Sequence, residues 1–229
     1  MKIDTLIFGG ASTKVPVYVG ILKALYEKNL INESLDGINH IITCSAGYLL
    51  GLYLLLNIPL HVQETILIEA DFSSLIDLNS TNINSLLFDL GLFDNHLAPS
   101  FIRSILIAHY SQGDMTLKEL YNINPILLTV KCVNATKGCN EYINVKTNPE
   151  LSILTLFRMT TAIPLFIKPI EYEGNLYVDG GLTGGYPIEL VKDNYLGFNI
   201  FGHPQGTNSD KTKSNETTDI LNSIPIISF

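Results

Sequence analysis

Residues 40–56 read HIITCSAGYLLGLYLLL. The first part, within INHIIT (38–43), is an apolar, β-branched run of the kind that forms a buried strand. Tyr48 to Leu56 is apolar nearly all round, which predicts a helix buried in the fold. Ser45 stands alone at the bend between them. A strand, a tight turn and a helix are the context of a nucleophile elbow. Such a turn thrusts the serine hydroxyl clear of the sheet and crowds the residues two positions to either side, so those sites want glycine. Gly47 meets that demand downstream, whereas Thr43 does not meet it upstream. Ser45 also sits at a helix N-terminus, where free amides and the dipole favour negative charge. An ordinary strand–helix connection uses the same small residues, and Ser-Ala-Gly alone does not choose between the two.

Working outward, IDTLIF (3–8) reads as a first buried strand that ends in glycines. Tyr18, Ile21, Leu22, Leu25 and Tyr26 follow at helical spacing, and Pro16 suits the first turn of that helix. The stretch 60–122 is helical in pattern, with a capping box at Thr116-Leu117-Lys118-Glu119. PILLTVKCVN (125–134) and CNEYINV (139–145) read as a hairpin. LSILTLFRM (151–159) reads as a short helix ended by Pro164. LYVDGG (176–181) is a strand running into a turn, and YLGFNIFG (195–202) is one more strand. Strands and helices alternate, so the expected class is α/β. From His203 the composition turns polar, and 203–229 is expected to be a loop or tail with a short apolar end.

Composition narrows the function. With 46 % apolar and 16 % charged residues in a 229-residue chain, one globular domain with a full core is expected. A net charge of −8 argues against nucleic acid and against electrostatic capture by anionic lipid. Cys44, Cys132 and Cys139 form no disulfide framework. The histidines at 40, 61, 96, 109 and 203 lack metal-ligand spacing, and nothing resembles a calcium loop. No metal or cofactor is therefore expected. MKIDTLIFGG is too short for a signal peptide, and the apolar run at 48–56 falls well below the ~20 residues of a spanning helix. The expected setting is cytoplasmic, with peripheral membrane contact through exposed apolar residues such as SLLFDLGLF (85–93). A core helix and turn is the plainer reading of that run.

A serine nucleophile needs a base. His203 is the histidine late enough in the chain to complete a Ser–His–Asp set. Asp179 is the other candidate, because Gly180 and Gly181 let the backbone turn tightly beside it. Asp-Gly is also a common plain turn. Amide donors for an oxyanion are offered by FGGASTK (8–14), between the first strand and a helix. The loop does not fit phosphate motifs, since neither Gly-Lys-Ser/Thr nor G-x-G-x-x-G is present.

Taken in order, these fragments resemble the patatin-like phospholipases. That family carries an N-terminal Gly-Gly-Gly-x-Arg/Lys-Gly loop, a later Gly-x-Ser-x-Gly elbow and a distant Asp-Gly-Gly or Asp-Gly-Ala. Here Gly10-Ala11-Ser12-Thr13-Lys14, Thr43-Cys44-Ser45-Ala46-Gly47 and Asp179-Gly180-Gly181 are similar. GILKALYEKN after the first loop, DFSSLID (71–77), TLKELY and the stretch from RMTTAIPLF to GGYPIEL are similar between and beyond the motifs. The resemblance spans about residues 5–202, and it implies a domain at 1–202 with 203–229 outside it.

The resemblance implies a three-layer α/β/α fold with a central, mostly parallel sheet. It implies a Ser–Asp dyad, with Ser45 as nucleophile and Asp179 as base. The amides of Gly10, Ala11 and Ser12 would form the oxyanion hole, Lys14 would support the loop, and Gly47, Gly180 and Gly181 would shape the turns. The substrate would be a phospholipid or other acyl lipid. The physics of such a dyad favours a buried carboxylate, because burial raises a pKa that is otherwise low for a base. An apolar wall would supply that burial and also hold an acyl chain. Ala11, Ser12, Thr43, Gly184 and Gly185 depart from the family pattern. A side chain at positive φ in the loop would cost roughly 1–2 kcal/mol. Two alternatives follow: a lipid-binding protein without catalysis, and a soluble-ester hydrolase with His203 as base.

Overall fold

A computed structural model describes residues 3–69, 91–93 and 98–200. DFSSLID, most of the apolar run 85–93, His96, His203 and the tail lie outside the described residues.

The first strand, β1 (Thr5–Phe8), is buried throughout. It leads through a single 3-10 turn at Ser12–Lys14 into α1 (Pro16–Glu27), whose Tyr18, Val19, Leu22 and Leu25 face inward at helical spacing. Strand β2 (His40–Cys44) enters the turn at Ser45, and α2 (Gly47–Leu55) leaves it with every residue buried. Burial of its leucines contributes about 1.5–3 kcal/mol each. The helices α3 (Leu60–Glu69), α4 (Ala98–Tyr110) and α5 (Leu117–Ile123) follow, with β3 (Gly91–Phe93) between the first two. Thr116 and Glu119 form the expected capping box: Glu119 N–H donates to the Thr116 hydroxyl, and Thr116 N–H donates to the Glu119 carboxylate. The hairpin β4 (Leu127–Asn134) and β5 (Cys139–Ile143) precedes α6 (Ile153–Thr160). Strands β6 (Leu165–Ile167), β7 (Ile170–Tyr172), β8 (Asn175–Asp179) and β9 (Tyr195–Phe198) complete the described chain.

Among the described residues seven strands form the main sheet, in the order β7-β8-β4-β2-β1-β9, with β5 also paired to β4. Pairings β9–β1, β1–β2 and β2–β4 are parallel, whereas β4–β5, β4–β8 and β8–β7 are antiparallel. Strands β1, β2, β4, β7 and β9 therefore share one direction and only β5 and β8 oppose it. The sheet is mostly parallel and flanked by helices, and the fold is α/β, as expected. Helix α2 packs on β1 and β2, and α6 packs on β4 and β8.

Register brings two strand ends together. Val130 and Lys131 of β4 pair with both β2 and β5, so those two strands lie on opposite edges of β4. Cys132 to Asn134 pair with both β5 and β8, so β8 lies on the same edge as β2. The two strands run towards each other along that edge. Cys44, the last residue of β2, stands opposite Lys131, and Asp179, the last of β8, stands opposite Cys132.

Several details differ from the sequence reading. Helix α6 ends at Thr160, before Pro164, and Thr161 caps it. Strand β9 stops at Phe198. Strands β6 and β7 were not expected. Each spans three residues, too few to show an alternation, and Pro169 interrupts the run between them. Strand β6 leaves the main sheet and pairs in parallel with β3.

Candidate active site

Ser45 has φ +53, a left-handed conformation that costs a non-glycine residue about 1–2 kcal/mol. Its surroundings hold it there. Ser45 N–H donates to the Thr160 hydroxyl at 2.9 Å, and that hydroxyl donates to the Lys131 carbonyl at 3.1 Å. The Ser45 carbonyl accepts Tyr48 N–H at 3.0 Å, which starts α2. Gly47 is required by packing: a Cβ there would lie 2.3 Å from the Phe8 carbonyl oxygen and 2.5 Å from that of Gly9. The first turn of α2 thus presses directly on the end of β1.

Thr43 occupies the crowded position before the bend and is fully buried. Its bulk is accommodated across the interface. A Cβ on Gly51 of α2 would lie 2.9 Å from Thr43 Cγ2, so the glycine that is missing at the elbow is supplied one layer away. The Thr43 hydroxyl has no hydrogen-bond partner among the described residues.

Ser45 Oγ donates to Asp179 Oδ2 at 2.6 Å. The other carboxylate oxygen accepts Gly181 N–H at 2.7 Å, and Asp179 N–H donates to the Ala162 carbonyl at 2.9 Å. Asp179 is 5 % exposed. Burial raises its pKa above 3.8, an effect larger than the opposing hydrogen bonds from Ser45 and Gly181. Gly180 permits the approach, since a Cβ there would stand 2.5 Å from the Lys131 carbonyl oxygen and 3.0 Å from Cys44 Sγ. Burial also raises the Cys44 thiol well above its usual range, so this buried neighbour of the serine stays a neutral thiol.

The amide loop lies alongside. A cleft of about 420 Å³ is lined by Ser45, Asp179, residues 10–12, Lys14, Gly181 and Gly185, with Ile200 at its side. Gly47 and Gly180 stand behind it as packing residues. The described lining residues are mostly small and their exposed surface is more apolar than polar, and β4, which pairs with the end of β8, adds to the burial of Asp179. Gly10 N–H is not available to an oxyanion here, because it donates to the Gly185 carbonyl at 2.8 Å. The amides of Ala11 and Ser12 have no acceptor among the described residues. Ala11 has φ −131, whereas Ser12 has φ +51, so the strain anticipated for the loop falls on Ser12 alone. Lys14 is exposed, and its ammonium meets no partner among the described residues. The expected brace is absent there, and the loop is closed by its backbone, with Lys14 N–H donating to the Ala11 carbonyl at 2.9 Å.

Sequence reasoning missed Thr160, Gly51 and Lys131, and marked Gly185 only as a departure from the family pattern. A lone lysine in the apolar strand LLTVKCVN was a readable signal, because a strand buried on both faces excludes charge unless it is paired. Thr160 and Gly51 carry no such mark.

The patatin-like phospholipase family profile matches residues 6–192. A "Probable lipid hydrolase" of Invertebrate iridescent virus 6 is 25 % identical over 189 residues, covering 82 % of this chain and 62 % of its own. An uncharacterised protein of Acanthamoeba polyphaga mimivirus is 23 % identical over 192 residues, covering 84 % of this chain and 62 % of its own. The chain thus spans less than two thirds of the curated relatives it matches. The crystal structure of VipD from Legionella pneumophila has a similar fold, with a TM-score of 0.63 at 16 % identity over 86 % of this chain and 49 % of that one. With the profile matched from the first strand to beyond the Asp-Gly-Gly turn, the chain belongs to the patatin-like phospholipase family.

Proposed function

We propose that this chain is a lipid acyl hydrolase of phospholipase A type, with Ser45 as nucleophile and Asp179 as its base. The observation that carries the reading is the direct hydrogen bond of 2.6 Å from Ser45 Oγ to Asp179 Oδ2. The serine proton is already directed at a carboxylate, which supports a dyad over a triad with His203.

Ser45 Oγ attacks the ester carbonyl carbon, and its proton passes to Asp179. The carbonyl oxygen takes up negative charge beside the Ala11 and Ser12 amides and the start of α2. The tetrahedral species collapses, the C–O bond to the alcohol breaks, and the alcohol leaves with the proton held by Asp179. The acyl group stays on Ser45. Water then attacks the acyl-enzyme, gives a proton to Asp179, and releases the fatty acid as Ser45 recovers its proton. Burial suits Asp179 to both halves, because its raised pKa brings it nearer the working pH of a general base.

The test is incubation with mixed phospholipid vesicles, product analysis by mass spectrometry, and active-site labelling with a fluorophosphonate probe. Free fatty acid and lysophospholipid from the native chain, lost in Ser45→Ala, support the reading. Vesicle binding without product or labelling would instead favour the non-catalytic lipid-binding alternative.

A further inference from the structure

We propose that Lys131 is a positioning residue for the 10–12 amide loop, acting through the Gly184–Gly185 turn. Its kinetic consequence rests on the acyl-hydrolase reading; the linkage itself does not.

Lys131 lies in the middle of β4, and its side chain is 3 % exposed. A buried ammonium must be paired and hydrogen-bonded to be tolerated. Lys131 Nζ donates to Glu189 Oε1 at 3.0 Å and to the Gly184 carbonyl at 3.0 Å. Tyr142 hydroxyl donates to the same Glu189 oxygen at 2.5 Å, which fixes the far side of the pair. Gly184 has φ +119, so the turn takes a shape that side-chain-bearing residues rarely adopt.

The next carbonyl carries the linkage onward. Gly185 O accepts Gly10 N–H at 2.8 Å, and a Cβ on Gly9 would lie 3.1 Å from the same oxygen. The ammonium, one turn of main chain and one backbone hydrogen bond thus join Lys131 to the peptide that precedes the Ala11 and Ser12 amides. Ala11 and Ser12 line the cleft beside Ser45. Fixing Gly10 aims them, and donors fixed before the reaction need no reorganisation during it. The main chain of Lys131 serves the site separately, since its carbonyl accepts the Thr160 hydroxyl. Side-chain variants therefore leave that main-chain contact in place.

Lys131→Met and Lys131→Arg are compared with the native chain by amide hydrogen exchange and by hydrolysis of a short-chain p-nitrophenyl ester. In Lys131→Met, exchange in peptides covering 8–15 and 181–187 rises about tenfold while β2 and α2 keep their protection. For the same variant kcat falls about tenfold or more at a KM within about twofold, and Lys131→Arg recovers part of the loss. Native exchange at Gly10 in folded Lys131→Met overturns the proposal, as does native kcat in that variant. If the native chain hydrolyses nothing, the acyl-hydrolase reading fails and the exchange measurement still decides the linkage. Should Lys131→Met not fold, Gly184→Ala breaks the same linkage at an exposed turn and is read by the same exchange criterion.

Discussion

Ser45 and Asp179 are 134 residues apart in the chain and 2.6 Å apart at Oγ and Oδ2. The contact follows from strand direction. Strands β2 and β8 run head to head along one edge of β4, so the residue just past the end of one meets the last residue of the other. Neither side chain has to reach. On the proposed dyad mechanism the pair acts as one unit, so Ser45→Ala and Asp179→Asn should each lower kcat/KM by roughly 10³-fold or more, and the double variant should be no worse than either single one. Steady-state hydrolysis of a p-nitrophenyl ester checks this. Additive losses would separate the two residues mechanistically.

The positive φ of Ser45 makes a stability prediction independent of chemistry. Ser45→Ala and Ser45→Gly both remove the hydroxyl, but only glycine relieves the left-handed backbone. Ser45→Gly should be the more stable by about 1 kcal/mol, and both should be inactive. Urea unfolding of the two variants gives the difference directly. Equal midpoints would mean that the turn relaxes once the hydroxyl is gone.

Asp179 sets the pH dependence. Burial raises its folded pKa above the ordinary value near 3.8, against the hydrogen bonds from Ser45 and Gly181. The folded chain then binds this proton more tightly than the unfolded chain. The resulting stabilisation is complete below the unfolded pKa and is lost as pH rises through the folded pKa. Asp179→Asn escapes that loss, so its stability relative to the native chain should climb from about pH 4 towards neutrality. With Asp179 as the proposed base, the acid limb of kcat/KM for the native chain should have its midpoint above 3.8. A midpoint at or below that value would mean that the carboxylate is not held as the structure has it.

The elbow and the Asp-Gly-Gly turn were legible because their signals are local: a strand, a small-residue bend and an apolar helix lie within seventeen letters. The contact between them was implied by the family resemblance and not by any local pattern, since it depends on β8 entering antiparallel on the edge that β2 leaves free. Thr43 read as a defect for a similar reason, because its remedy at Gly51 is local in space and not in sequence. The fate of Gly10 N–H was also hidden, as its acceptor belongs to Gly185. Strands β6 and β7 fell below the length at which alternation can be seen.

Thr43 and Gly51 should behave as a coupled pair. Gly51→Ala gains helix propensity of about 1 kcal/mol, yet places its Cβ 2.9 Å from Thr43 Cγ2. A β-branched neighbour is stiff, so overpacking should win and the variant should lose about 1–3 kcal/mol. Thr43→Ala removes the obstructing methyl and also a buried hydroxyl without a described partner. In that background Gly51→Ala should cost less, the remaining tight contact being Leu128 Cδ1 at 3.2 Å from the new Cβ. A double-mutant cycle by chemical denaturation measures the coupling, and a coupling within error of zero would show that the two residues do not compete for space.

Thr160 gives the sharpest separation of geometry from bulk. Its hydroxyl accepts Ser45 N–H and donates to the Lys131 carbonyl, so one oxygen ties the elbow to β4 at the place where β2 and β8 meet. It is fully buried. Thr160→Val keeps the shape but leaves a buried donor and a buried acceptor unpaired, at about 1–3 kcal/mol for each group left so. Thr160→Ser keeps the oxygen and loses one methyl. If the hydroxyl matters by holding Ser45 at φ +53, Thr160→Val should lower kcat about tenfold or more, in protein still folded at the assay temperature. Thr160→Ser should retain most of the rate even though it sacrifices packing. The reverse order, with serine the more damaging substitution, would assign Thr160 to the core and leave the strained turn to be held by Tyr48 N–H and Asp179 alone.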